Sequence, residues 1–456
     1  MEMIRIKKTY IFLFLLLLIY LFLISIEARR FNILIYLQNA FVVLFAGYNL
    51  FVRKSRYPFS LYQIFNVFSL IFFGFTPLLI YKFDSQFFQM GYVPDEYYIK
   101  SYFSLILFLL IYDFLYTYFN SRNVSSTFLY NLFDYSKLRK NGKIVFNNCS
   151  IVILIVLVVA FLVFILSVCD YSIVNIVLSV GQKVSAQAGL SQPVDLIFSN
   201  FIRPFCLILF LFYFLLGKNK YYKLLLFAFA SFIILPTAVP RYMSGILYTA
   251  VLLLCIKFCR KENLLSYTMI GGIVYLFPLL NQTRFSNFTS FNFKFNPQFF
   301  LNAHFDSFAS YVQITNHEMI TWGRQLLGTI LFFVPRSVWP DKPIGSGWYY
   351  SEQLGANFNN VAVNYFAEGY INFGYFGVFI FTLGLAYFCA MMDKTYWKNN
   401  CFENKNGFTI LYYLTFGLLF FVLRGDLMSS VAYGISLYAV VFFINSVLKL
   451  SNNKSN

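Results

Sequence analysis

The sequence predicts an all-α, polytopic membrane protein, and three observations carry that prediction. Of 456 residues, 59% are hydrophobic and only 12% charged, about half the charge of a soluble domain. Apolar runs of about 17 to 25 residues recur from end to end, each long enough to cross a hydrocarbon core of about 30 Å as a helix. The basic residues gather in alternate connections between these runs, as in a threaded membrane chain. Barrel strands would alternate in shorter segments, which these runs do not.

Taken in order, the runs place about twelve spans, near 9–26, 33–51, 61–81, 101–119, 144–168, 200–217, 224–239, 242–258, 264–281, 370–391, 408–423 and 430–448. The first follows Arg5, Lys7 and Lys8 as a signal sequence would. Its apolar core is long, however, and SIEARR offers no small-residue cleavage site, so it reads as a retained span. With the N-terminus inside, the cytoplasmic segments hold 22 of the 35 Lys and Arg residues. Their acidic residues are only Glu2, Asp134, Glu262, Asp393 and Glu403. Both termini then lie in the cytoplasm. The net charge of +17 suits an anionic inner leaflet and needs no nucleic acid.

This layout gives an N-terminal bundle of about nine spans (1–281), a large extracytoplasmic loop (282–369) and about three C-terminal spans (370–456). Within the loop, LLGTILFFVP at 326–335 is too short to span, which predicts a re-entrant or interfacial helix. The spacing from His304 to Met319 is amphipathic and predicts a second interfacial helix. No internal repeat of the secondary-transporter kind is visible. The seven cysteines form no CxxC pair, so neither a disulfide framework nor a zinc site is indicated. The 61 Phe and 36 Tyr suit lipid-facing and interfacial positions.

Arginine is unusual on an outer face, yet Arg203, Arg241, Arg284, Arg324, Arg336 and Arg424 all fall there or at an outer span end. Arg241 lies in PTAVPRYMSG and Arg424 in VLRGDLMSS, tight hairpins where a charge near headgroup depth is paired or functional. A guanidinium fork matches two phosphate oxygens and stays charged at any relevant pH. Arg241, Arg284, Arg336 and Arg424 are therefore the candidate pyrophosphate contacts, and Lys342 is a further candidate cation for substrate binding. The alternative is snorkelling to lipid phosphates, or local pairing such as Arg424 with Asp426.

Among the carboxylates, Glu368 in AEGYINFG stands at the outer mouth of a span. It reads either as a general base or as a first-turn acid favourable to the helix dipole. Asp341 in VWPDKP and Asp426 in LRGD are the reserve candidates. Asp113, in mid-span, reads as a structural hydrogen-bonding group. His304 and His317 have no third ligand in view and do not suggest a metal. No GxxxxGKS, GxGxxG after a strand, or DxD pair occurs. No cofactor is therefore expected, and a glycosyl donor would be lipid-linked, its diphosphate held by arginine.

Five blocks together, VPRYMSG at 239–245, NQTRFSN at 281–287, FFVPRSVWPDKPIGSG at 332–347, AEGYINFGYFG at 367–377 and LRGD at 423–426, resemble the Wzy-type oligosaccharide repeat-unit polymerases of bacterial O-antigen and capsule. The resemblance rests mainly on the C-terminal half. It implies a metal-independent glycosyltransferase of the bacterial inner membrane, with a GT-C-like, multi-spanning architecture. Such an enzyme joins undecaprenyl-pyrophosphate-linked oligosaccharides on the extracytoplasmic face, among membrane lipids. A chain-length regulator and a flippase are its implied partners. An O-antigen ligase acting on lipid A core, or a flippase without chemistry, are the alternatives.

Overall fold

The computed structural model describes residues 2–53, 55–84, 92–136, 139–140, 143–144, 148–177, 192–236, 239–279, 297–359 and 361–450. A helix stands at each run that the sequence marks. They are α1 Glu2–Ser25, α2 Ile33–Val52, α3 Leu61–Lys82, α4 Asp95–Ser121, the short α5 Thr127–Leu132, α6 Asn148–Val168 and the short α7 Ile173–Val177. Next come α8 Val194–Leu216, α9 Lys220–Ile233, α10 Arg241–Cys255 and α11 Leu264–Leu279. The loop region supplies α12 Ser307–Asn316, α13 Arg324–Ile330 and α14 Ser346–Gln353. The chain ends with α15 Tyr365–Lys398, α16 Phe408–Arg424 and α17 Leu427–Leu450. Among the described residues the only strand pairing is Arg139–Lys140 with Lys143–Ile144. Seven helices there (α2, α3, α4, α6, α8, α15 and α17) are long and apolar enough to cross a membrane.

Burial separates scaffold from periphery. The α3 helix is enclosed almost entirely, whereas α6 is mostly uncovered, as expected of a lipid-facing helix. Around α3 the aromatic residues interlock: Phe65 stacks on Tyr112 at 3.7 Å, and Phe59 meets Trp397 at 4.9 Å. Each buried ring contributes on the order of 2 kcal/mol relative to an aqueous position, and less where the alternative is lipid. Asp113 has the structural role its position suggests. It takes Arg53 Nη1 at 2.5 Å and the Tyr62 hydroxyl, so the charge in mid-helix is paired.

Part of the predicted loop, among its described residues, is folded into the bundle. Helix α12 is buried on nearly every side, from Ser307 to Thr315, so it is not the interfacial helix its amphipathic spacing predicts. Its polar positions are satisfied inside: Thr315 Oγ1 meets Ser101 Oγ at 3.0 Å, and Tyr311 Oη meets Ser104 Oγ at 2.8 Å. Polar side chains that find partners on α4 can be enclosed, and the periodicity alone could not reveal those partners.

Helix α15 starts at Tyr365, a turn earlier than the predicted span, with Asn364 as its cap. It is broken at Phe373 and Gly374, where Gly374 takes φ +61° and ψ −150°, a region essentially reserved for glycine. At the break Gly369 and Gly377 touch; a Cβ on Gly377 would lie 2.0 Å from the Gly369 carbonyl. The freed carbonyls find donors in the loop, from Thr321 N to Ile371 O at 2.6 Å and from Gly323 N to Asn372 O at 2.8 Å. This is how the EGYINFG block ties the segment around Thr321–Gly323 to the bundle.

The charge distribution makes a topological prediction. In a cysteine-free background, Asn302→Cys should react with an impermeant thiol reagent in intact cells, and Lys398→Cys should react only after permeabilisation. Both sites are exposed, so the opposite labelling pattern means the chain is inverted.

Candidate functional site

Three helix N-termini meet at one point. Helix α14 begins at Ser346, α17 at Leu427 and α15 at Tyr365. Two carboxylates join them. Glu368, in the first turn of α15 and only 1% exposed, accepts from Ser346 Oγ at 2.7 Å and from Leu427 N at 2.8 Å. Asp426 accepts from Gly347 N at 2.9 Å and, as the cap of α17, from Ser429 N at 3.0 Å. Helix N-termini carry unpaired N–H groups and partial positive charge, so both carboxylates sit where that field favours them.

The GSG triplet is explained by the same junction. A Cβ on Gly345 would lie 2.6 Å from Asp426 Oδ2, and one on Gly347 would lie 2.0 Å from the Val361 carbonyl oxygen. Only glycine lets the backbone reach the carboxylate and pass Val361.

Beside this junction lies an arginine pair. Helices α10 and α16 pack together along their length, with Arg241 starting the first and Arg424 ending the second. His304 stands between them. Arg241 Nη1 is 3.1 Å from His304 Nε2, and Arg424 Nε donates to the His304 carbonyl at 2.8 Å. A guanidinium only donates, so His304 Nε2 is the acceptor and the ring proton belongs on Nδ1. Arg424 Nη2 also lies 4.0 Å from Asp306 Oδ1. Burial pushes the Asp306 carboxyl up to about 7, against the pull of the Arg424 charge. That oxygen has no hydrogen-bond donor, which leaves a charge-responsive group beside a guanidinium that is 28% exposed.

The sequence candidates thus divide. Glu368 and Asp426 come together at the helix junction, and Arg241 and Arg424 come together on His304. Arg424 does not pair with Asp426; its acidic neighbour is Asp306. Arg336, Asp341 and Lys342 occupy the turn after α13, where Arg336 donates to the Lys342 carbonyl at 2.7 Å and Arg324 to the Asp341 carbonyl at 3.1 Å. Lys342 Nζ donates to the Phe332 and Val334 carbonyls at 2.5 and 2.9 Å. Burial, then the Arg336 charge, lowers its pKa. Arg284 lies outside the described residues.

Sequence reasoning missed Asp306 and the Ser346–Glu368 bond, and it gave His304 no role. Asp306 sits in HFDSF, where nothing in spacing marks it. Ser346 lies in the GSG triplet, but its partner is 22 residues away. Among the described residues no three His, Cys, Asp or Glu side chains gather as a metal-ligand set. No family model, curated protein or solved structure matches the chain.

Proposed function

We propose that this protein polymerises undecaprenyl-pyrophosphate-linked oligosaccharide units into O-antigen or capsular polysaccharide on the outer face of the bacterial inner membrane. It would do so as a twelve-span, GT-C-like glycosyltransferase with both termini cytoplasmic. The observation that carries the proposal is the meeting of Arg241 and Arg424 on His304, beside a junction of two carboxylates. Two guanidiniums at one outer position suit a diphosphate. A carboxylate pair nearby suits proton removal from a sugar hydroxyl.

In the reaction, the acceptor hydroxyl oxygen attacks the anomeric carbon of the lipid-linked donor. The bond from that carbon to the phosphate oxygen breaks, and undecaprenyl pyrophosphate leaves with the electron pair. Arg241 and Arg424 stabilise the negative charge that grows on it. The hydroxyl proton passes to a carboxylate, with Glu368 the leading candidate and Asp426 or Asp341 in reserve. Glu368 uses one lone pair on each oxygen for Ser346 and Leu427, so acceptor capacity remains on both. Its near-complete burial requires that the acceptor sugar open or displace part of the junction before proton transfer. In the cell, a flippase would supply the lipid-linked units and a chain-length regulator would be a further partner.

Gene deletion tests the step. Single repeat units should still be made, exported and, where a ligase is present, attached to lipid A core. Long polymer accumulating on the carrier lipid would instead identify a ligase, and single units trapped on the inner leaflet would identify a flippase.

A further inference from the structure

Helix α13 and the turn after it carry apolar side chains that the protein leaves uncovered. Trp322, Phe333 and Val338 are 79%, 68% and 73% exposed, and Leu327 and Ile330 on α13 are exposed as well. Five large apolar side chains within 17 residues of chain is more than scattered surface exposure. The segment is also firmly placed. Thr321 and Gly323 donate to the carbonyls at the α15 break, Leu326 N donates to Asn372 Oδ1 at 2.7 Å, and a Cβ on Gly323 would lie 2.7 Å from the Phe373 ring. Its level is that of Ile371, seven residues into α15, which is about 10 Å along the helix from its start. From that level onward α15 itself presents Tyr375, Phe376, Phe379 and Ile380 outward. The exposed apolar surface of the loop segment therefore continues that of a membrane-spanning helix. Cations accompany it: Arg324 and Arg336 are both exposed and bonded to main-chain carbonyls of the same turn.

We infer that residues 322–338 form a wedge seated in the outer leaflet, with Trp322, Leu327, Ile330, Phe333 and Val338 among lipid chains and Arg324 and Arg336 at the phosphate level. The occupant of this surface is bilayer lipid. Aromatic residues, aliphatic residues and arginines in one short element match the composition of membrane-interface segments. The wedge also contacts the functional junction: a Cβ on Gly328 would lie 3.0 Å from the terminal methyl of Met428, two residues beyond Asp426. A lipid-linked molecule with its tail in this leaflet would have its headgroup beside the carboxylate pair. The inference concerns where the segment lies, and it stands whatever the arginines at His304 bind.

Trp322 is a built-in probe. The protein is reconstituted into phospholipid vesicles with and without bromine on the upper acyl chain, and emission of Trp322→Phe is subtracted from that of the native chain. Phe333→Trp, added to the native chain, supplies an independent second reporter whether or not Trp322→Phe folds normally. The wedge predicts that both signals are lost in brominated lipid and resist aqueous iodide. Quenching by iodide instead would place the segment in water. Resistance to both quenchers would mean that protein covers it, a second copy of the chain included. Either result overturns the inference.

Discussion

Replacing Arg424 by alanine is expected to abolish glycan polymer while the protein still accumulates in the membrane. The guanidinium binds the His304 and Ala303 carbonyls, faces Asp306 and remains partly exposed. A preorganised cation aimed at charge that develops in the transition state is worth about a hundredfold in rate or more. Arg424→Lys should restore little, because a single ammonium cannot hold two carbonyls and two phosphate oxygens together. The alternative explanation, a collapsed site around an unpaired Asp306, is separable. Combining Arg424→Ala with Asp306→Asn removes the buried carboxylate, so it should improve stability in detergent but leave polymer absent. Arg336→Ala should lose less, since Arg336 is exposed and held only by its own turn. Wild-type polymer length from Arg424→Ala would remove the diphosphate clamp.

The second large effect belongs to Glu368. A glutamine there can still accept from Leu427 N through its carbonyl oxygen and can donate to Ser346 Oγ, so the junction of α14, α15 and α17 keeps its shape. Glu368→Gln is therefore expected to bind lipid-linked units normally and extend them about a hundredfold more slowly, the scale of a lost general base. Glu368→Ala should also lower stability, because it leaves Leu427 N and Ser346 Oγ without their buried acceptor. Near-normal extension by the glutamine variant would make Glu368 a purely structural link and move proton removal to Asp426 or Asp341.

What the sequence disclosed and what it hid follow from how far each signal reaches. Apolar runs are local, and a helix stands at each of them. The purpose of the glycines in EGYINFG shows only in the fold, where Gly374 sits at the break and Gly369 touches Gly377. Long-range partners were not legible. The partner of Arg424 is Asp306, 118 residues earlier in the sequence, whereas the sequence suggested its neighbour Asp426. Helix α12 looked interfacial because its polar face reads as solvent-facing; that face meets Ser101 and Ser104 of α4. Arg336 and Lys342 looked like members of the arginine set because motif blocks group residues by sequence, whereas the fold keeps them on a separate turn.

One measurement bears most directly on the central claim. Purified protein is given undecaprenyl-pyrophosphate-linked repeat units, with no nucleotide and with a chelator present, and product length is followed. The activation for each new glycosidic bond would already reside in the donor's pyrophosphate linkage, and on the proposed reading Arg241 and Arg424 would balance its charge in place of a metal. The account predicts a ladder of lengthened glycans and release of undecaprenyl pyrophosphate, both lost in Arg424→Ala. Extension that requires a sugar nucleotide or an added divalent metal, or no extension by protein that binds the lipid-linked unit, would contradict it.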